Sequence, residues 1–192
     1  MTVLAAGPRA LPPHHDLLDA VATSIGTVVR AVLDDDRETA RRVLRDGAHR
    51  HALVGAAEDR VRRAIVGSAD RRTAAQQLLL VGDVARASRL VDDLARLVLL
   101  GRVEGGVSAS RREALLLVAR FGEERLHQLA DGVGGPGLDR EFVRCGRCLL
   151  DAAERLDTAR ATTRPLNPAI PCCAALATSV LQASRHALRA AS

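Results

Sequence analysis

Apolar residues recur every three or four positions through most of this chain, and polar, glycine or proline clusters interrupt the rhythm five times. From about Asp16 to Leu33, the residues Leu18, Val21, Ile25, Val28 and Val32 share one helical face. Asp34, Asp35 and Asp36 break that segment, and Asp36 stands where a side chain can cap the next helix. A long second helix is predicted from about Arg37 to Val66, with Val43, Gly47, Val54, Val61 and Ile65 as its seam and Gly67-Ser68 as its end. The third runs from Asp70 to Leu100, where Leu80, Val84, Ala87, Val91, Leu94 and Val98 alternate by fours and threes. Arg102 to Gly106 reads as a linker.

The same order then returns in shorter form. A fourth helix is predicted from about Ser110 to Leu129, a glycine-rich turn from Gly132 to Gly137, and a fifth helix from Leu138 to Ala161. The sixth opens at Asn167-Pro168, a capping residue followed by proline at the first helical position, and runs to about Ala190. Val84 to Arg89 reads VARASR and Val180 to Arg185 reads VLQASR, ninety-six residues later. One structural unit used twice accounts for both the order and the echo. The expected architecture is therefore all-α, two tandem three-helix bundle repeats. Its parts are an N-terminal arm over 1–15, a first repeat over 16–101, a linker over 102–109 and a second repeat over 110–191.

Composition narrows the class further. The chain has two Phe and no Tyr or Trp, so its core is built from Leu, Val, Ile and Ala, and no alternating run suggests a strand. A net charge of +5 raises nucleic acid as a partner. Against it, the 28 basic residues are all arginine, they are interleaved with 23 acidic ones, and almost no aromatic side chain is present to stack on bases. Pro8, Pro12 and Pro13 mark the N-terminus as a loose arm without the apolar centre of a secretion signal. No apolar run approaches the ~18 residues that span a bilayer. A cytoplasmic location is expected, with the four cysteines as thiols.

The third helix carries a more specific signal. Asp70-Arg71-Arg72 is followed, thirteen residues after Asp70, by Asp83-Val84-Ala85-Arg86-Ala87-Ser88-Arg89. This resembles the PhoU family of phosphate-uptake regulators, whose third helix carries D-L-R and then D-x-E-R-x-x-D-H-A. Asp70, Arg72, Asp83 and Arg86 match in type and spacing, and His186-Ala187, after Arg185, keeps the end of the motif in the second repeat. The resemblance spans about residues 16–190 in architecture and rests on specific residues mainly in the first half. It implies a non-enzymatic protein that restrains phosphate uptake and the phosphate-starvation response. Its implied partners are the ATPase of the phosphate transporter and the sensor domain of a histidine kinase, with a homodimer as the assembly. The alternative is a helical scaffold or nucleic-acid-associated factor outside phosphate control.

Members of that family hold metal clusters with the Glu and the second Asp of the motif. Here those positions are Ala85 and Arg89 in one repeat and Leu181 and Arg185 in the other. The family's metal is therefore not expected, and no other cofactor is implied. Asp70, Arg72, Asp83, Arg86, Arg89, Arg185 and His186 remain as candidate contacts to a partner or an anion. Two guanidinium groups could bind an anion where the family binds a cation. Alternatively, Arg89 pairs with Asp93 along the helix, Asp83 pairs with Arg86, and Asp70 caps the helix start.

Other motifs carry less. Cys145 and Cys148 form a CxxC, and Cys172-Cys173 lie near the start of the sixth helix. In antiparallel neighbours Cys145 would sit roughly 24 Å from the end of the fifth helix and Cys172 only ~6 Å into the sixth, which argues against a shared zinc. Glu124 and His127 form a single E-x-x-H, where a di-iron bundle needs two copies and two further Glu. His49 and His51 point different ways on a helix, and the GVGGPG turn lacks the strand and lysine of a phosphate loop.

Overall fold

In a computed structural model, residues 14–67, 71–103, 108–132, 138–158 and 167–191 are described. Among them the chain forms six helices: α1 (His15–Asp34), α2 (Arg37–Gly67), α3 (Arg71–Leu99), α4 (Ala109–Ala130), α5 (Leu138–Thr158) and α6 (Ala169–Ala191). No described residue is in a strand. Nor is any described helix long and apolar enough to cross a membrane. The helix starts are set by the residues that the sequence offers for them. Asp36 accepts from the backbone N–H groups of Glu38 and Thr39, both at 3.0 Å, and from the Thr39 hydroxyl at 2.6 Å. These bonds, the hydroxyl's first, hold the Asp36 carboxyl below its ordinary range. Ser108 accepts from Arg111 N–H at the start of α4, and Asn167 Oδ1 accepts from Ala169 N–H at the start of α6. Asp35, in the left-handed region at φ 50°, closes α1 by donating its N–H to Ala31.

Most of the proposed arm lies outside the described residues, but its last residue, His15, already belongs to α1. The end of the expected fifth helix, residues 159–161, also lies outside them, as do Asp70 and linker residues 104–107. The expected apolar seams are buried: Val21, Ile25 and Val28 in α1, Val84, Val91, Leu94 and Val98 in α3, Leu115, Val118 and Leu126 in α4. They join residues of all six helices in one continuous core.

Each half packs its three helices on one another, α1, α2 and α3 in the first and α4, α5 and α6 in the second. Between the halves, α1 lies on α4 and α3 lies on α6. Both of these contacts are antiparallel. His15 reaches the Ala130 carbonyl at 3.0 Å, Asp19 meets His127 at 3.1 Å, and Asp34 meets Arg112 at 3.4 Å. On the other contact, Cys172 donates to the Leu90 carbonyl and His186 meets Gln76. These contacts fall evenly about two residue pairs, Gly26 with Gly122 and Val84 with Val180, each ninety-six residues apart. At the first, the glycines let the backbones approach: a Cβ on Gly122 would stand 3.2 Å from Ile25 Cγ2, and the space beside Gly26 holds the Glu123 carboxylate. This arrangement is consistent with the repeat spacing read from VARASR and VLQASR.

Candidate functional site

The contact of α3 with α6 collects most of the residues singled out in the sequence. Val84 and Val180 are each 1 % exposed at its centre, flanked by Ala87, Ser88, Ala183 and Ser184, all buried. Small side chains at these positions let the two long helices pack closely. Around this centre the structure brings Asp83 and His186 together: His186 Nε2 lies 3.5 Å from Asp83 Oδ2. The other ring nitrogen, Nδ1, stands 3.0 Å from Gln76 Oε1. Both side chains of the pair are about four-fifths buried. Burial pushes the Asp83 carboxyl up, opposed by the charges of His186 and then Arg86. Asp83 therefore answers across the halves to His186, and no hydrogen bond or ion pair joins it to Arg86 along its own helix.

Arg72, Arg86, Arg89 and Arg185 are all exposed. Among the described residues, none of the four takes part in an ion pair. The expected pairing of Arg89 with Asp93 is replaced by Arg96–Asp93 at 2.7 Å, because the shorter i,i+3 step on that face brings Arg96 onto the carboxylate. Arg89 and Arg185 also do not converge. In the antiparallel pair Arg89 is level with the Cys172 end of α6, and Arg185 with the Gln76 region of α3. Counting 1.5 Å per residue, their backbones are about 15–20 Å apart along the helices. Two arginines so placed make separate contacts and do not chelate a single small anion.

The positions that hold metal in PhoU proteins supply no ligand here. Ala85 is buried, Leu181 is half-buried, and Arg89 and Arg185 are exposed cations. That donor set does not fit a metal cluster. Among the described residues, no group of three or more His, Cys, Asp or Glu side chains converges to hold a metal ion. All four cysteines are free. Cys145 donates to the Phe121 carbonyl at 3.2 Å, and burial pushes both its thiol and that of Cys172 up to about 12. His127 of the E-x-x-H ties α4 to Asp19 of α1, while Glu124 accepts from Gln128.

Sequence reasoning missed two buried arginines, one in each half. Arg50 of α2 is 1 % exposed; it donates to Ser24 Oγ of α1 and to the Val43 carbonyl, both at 3.0 Å, and pairs with Asp92 of α3. His51 meets the other oxygen of Asp92 at 3.1 Å. Arg125 of α4 is 5 % exposed and donates from Nε to Ser184 Oγ of α6 at 2.9 Å. Burial lowers its guanidinium to about 10, against the opposing influence of Cys145. Each guanidinium lies against a glycine, Gly47 of the same helix for Arg50 and Gly146 of α5 for Arg125. Spacing alone held the signal: Arg50 follows Gly47 and precedes Val54 on the seam of α2, at a step expected to be apolar.

In comparisons with known proteins, no family model, curated protein or solved structure matches this chain.

Proposed function

We propose that this chain is a PhoU-like regulator that restrains phosphate uptake and phosphate-starvation signalling in the cytoplasm by protein–protein contact. Its partners in this reading are the ATPase of the phosphate transporter and the sensor domain of a histidine kinase, and self-association into a homodimer belongs to the same reading. The observation that carries it is the relation between motif and fold. The D-x-x-R residues of α3 and the His-Ala of α6 that resemble the family lie at one antiparallel crossing, where Asp83 meets His186. The two three-helix halves, packed through corresponding helices, support the same resemblance. In this reading the chain acts by contact and not by catalysis; at that crossing small buried residues and exposed arginines stand at the positions that the family fills with metal ligands.

Deletion of the gene, with alkaline phosphatase measured in phosphate-replete cells, tests this directly. Derepression is expected, and restoration by the intact gene. Unchanged phosphatase in the deletion strain overturns the reading and favours a helical scaffold outside phosphate control.

A further inference from the structure

The face of α3 turned away from the bundle is a basic ridge. Arg72, Ala75, Leu79, Gly82, Arg86, Arg89, Asp93 and Arg96 are all exposed and follow one another by alternating steps of three and four. Leu100 continues the same line just past the helix, 68 % exposed, and Leu79 is 49 % exposed. Over the 29 residues of α3 this ridge extends about 43 Å. Its single carboxylate, Asp93, is already neutralised by Arg96. The other two acids of this helix are engaged elsewhere, Asp83 with His186 of α6 and Asp92 with Arg50 and His51 of α2. Arg72, Arg86 and Arg89 are thus left with their charge directed outward.

We infer that this ridge docks an acidic, amphipathic helix of a partner protein, with Arg86 and Arg89 as its central contacts. The inference rests on the regulatory reading above and names the chemistry of the partner in it. Charge complementarity fixes the sign: guanidinium groups at i and i+3 present two planar forks to carboxylates at the same spacing on a facing helix. The step of three and four along the ridge matches the repeat of one face of a straight partner helix. Leu79 and Leu100 decide between a protein and a nucleic acid. They offer apolar contact that an amphipathic helix uses and a phosphate backbone does not. Gly82, with open space where a Cβ would lie, leaves a flat stretch beside Leu79 for a partner side chain.

The test is a fluorescence-anisotropy titration of the full chain with a labelled synthetic helix of about 20 residues, Glu and Leu set at the ridge spacing. Random-sequence duplex DNA is titrated in parallel. Saturable binding of the peptide is expected, weakened by added salt and weakened about tenfold or more by Arg86→Glu with Arg89→Glu. The neutral pair Arg86→Gln with Arg89→Gln should lose a smaller part, and Arg41→Glu with Arg45→Glu on the exposed side of α2 should change affinity less than about twofold. Circular dichroism shows that each variant is folded. Equal loss in the α2 and α3 variants, or no loss in the α3 variants, overturns the ridge. So does DNA bound more tightly than the peptide through the same arginines. Introduced into the chromosome, Arg86→Gln with Arg89→Gln should derepress alkaline phosphatase as the deletion does. A deletion that derepresses beside a variant that does not refutes the ridge alone; a silent deletion with peptide binding intact refutes phosphate control alone.

Discussion

Asp92 of α3 meets side chains of two consecutive residues of α2, the buried guanidinium of Arg50 on one oxygen and the exposed imidazole of His51 on the other. A side chain that is 2 % exposed on Arg50 has no water to replace a lost carboxylate. Asp92→Ala is therefore expected to cost about 3–5 kcal/mol by leaving an uncompensated buried charge. The double change Arg50→Met with Asp92→Leu should cost less than either single change, since it removes both charges together. Urea denaturation of the three variants checks the order, and additive losses would show that the pair is not coupled.

The glycines of this bundle have opposite roles that melting temperatures can separate. Gly82 lies exposed in the middle of α3 with nothing within 4 Å of an added methyl, so Gly82→Ala should stabilise by about 0.5–1 kcal/mol through helix propensity. At Gly122 the methyl meets Ile25 across the α1–α4 contact at 3.2 Å. Gly122→Ala should gain nothing, and Gly122→Val should lose about 1–3 kcal/mol by overpacking.

Asp83 sets a pH dependence of definite sign. Its carboxyl is raised in the folded chain, mainly by burial, so folding favours the protonated form. The resulting cost is absent at pH values below the ordinary carboxylate range and grows as pH rises through the raised range. Asp83→Asn is expected to raise the melting temperature at pH 7 and to leave it unchanged near pH 3. A stabilising effect of equal size at both pH values would place the cause in packing.

His14, at the start of α1, works in the opposite direction. It is buried with both ring nitrogens lacking a hydrogen-bond partner, and its basicity is lowered by burial first and by Arg60 second. The unfolded chain therefore binds the proton more readily, and stability is lost as pH falls below the ordinary histidine range. His14→Leu should flatten the stability profile between pH 7 and pH 5, read by thermal melting across that interval.

Thiol labelling offers an independent check on the core. Cys145 and Cys172 have thiols pushed up to about 12 by burial, and Cys173 is fully buried. Cys148 is only half-buried. Cys172 is half-buried too, so iodoacetamide at pH 8 should label Cys148 first, Cys172 more slowly because its thiol is pushed up, and Cys145 and Cys173 only in denaturant.

The helices were legible because their apolar spacing and their caps agree. Asp36 and Asn167 perform the capping that their positions suggested, and the ends fall within a few residues of those read from the pattern. The interior charges were not. Arg50 is one of many arginines on a polar helix, and Arg125 sits beside Glu124 and His127 in a run that reads as solvent-facing. Their burial depends on partners brought by other helices, Ser24 and Asp92 for one and Ser184 for the other. Asp83 posed the same difficulty, since its neighbour in sequence, Arg86, is not its partner in space, and His186 lies more than one hundred residues away.

The ninety-six-residue spacing repeats the order of helices without repeating their charge. At that spacing Arg72, Arg86 and Arg96 are matched by Pro168, Gln182 and Ser192, and Asp93 is matched by Arg189. Two halves packed through corresponding helices would ordinarily offer two equivalent berths. Here the matching positions on α6 carry two exposed arginines, Arg185 and Arg189, where the ridge of α3 carries four and a carboxylate. A partner that reads the ridge of α3 would therefore find one such surface on each chain.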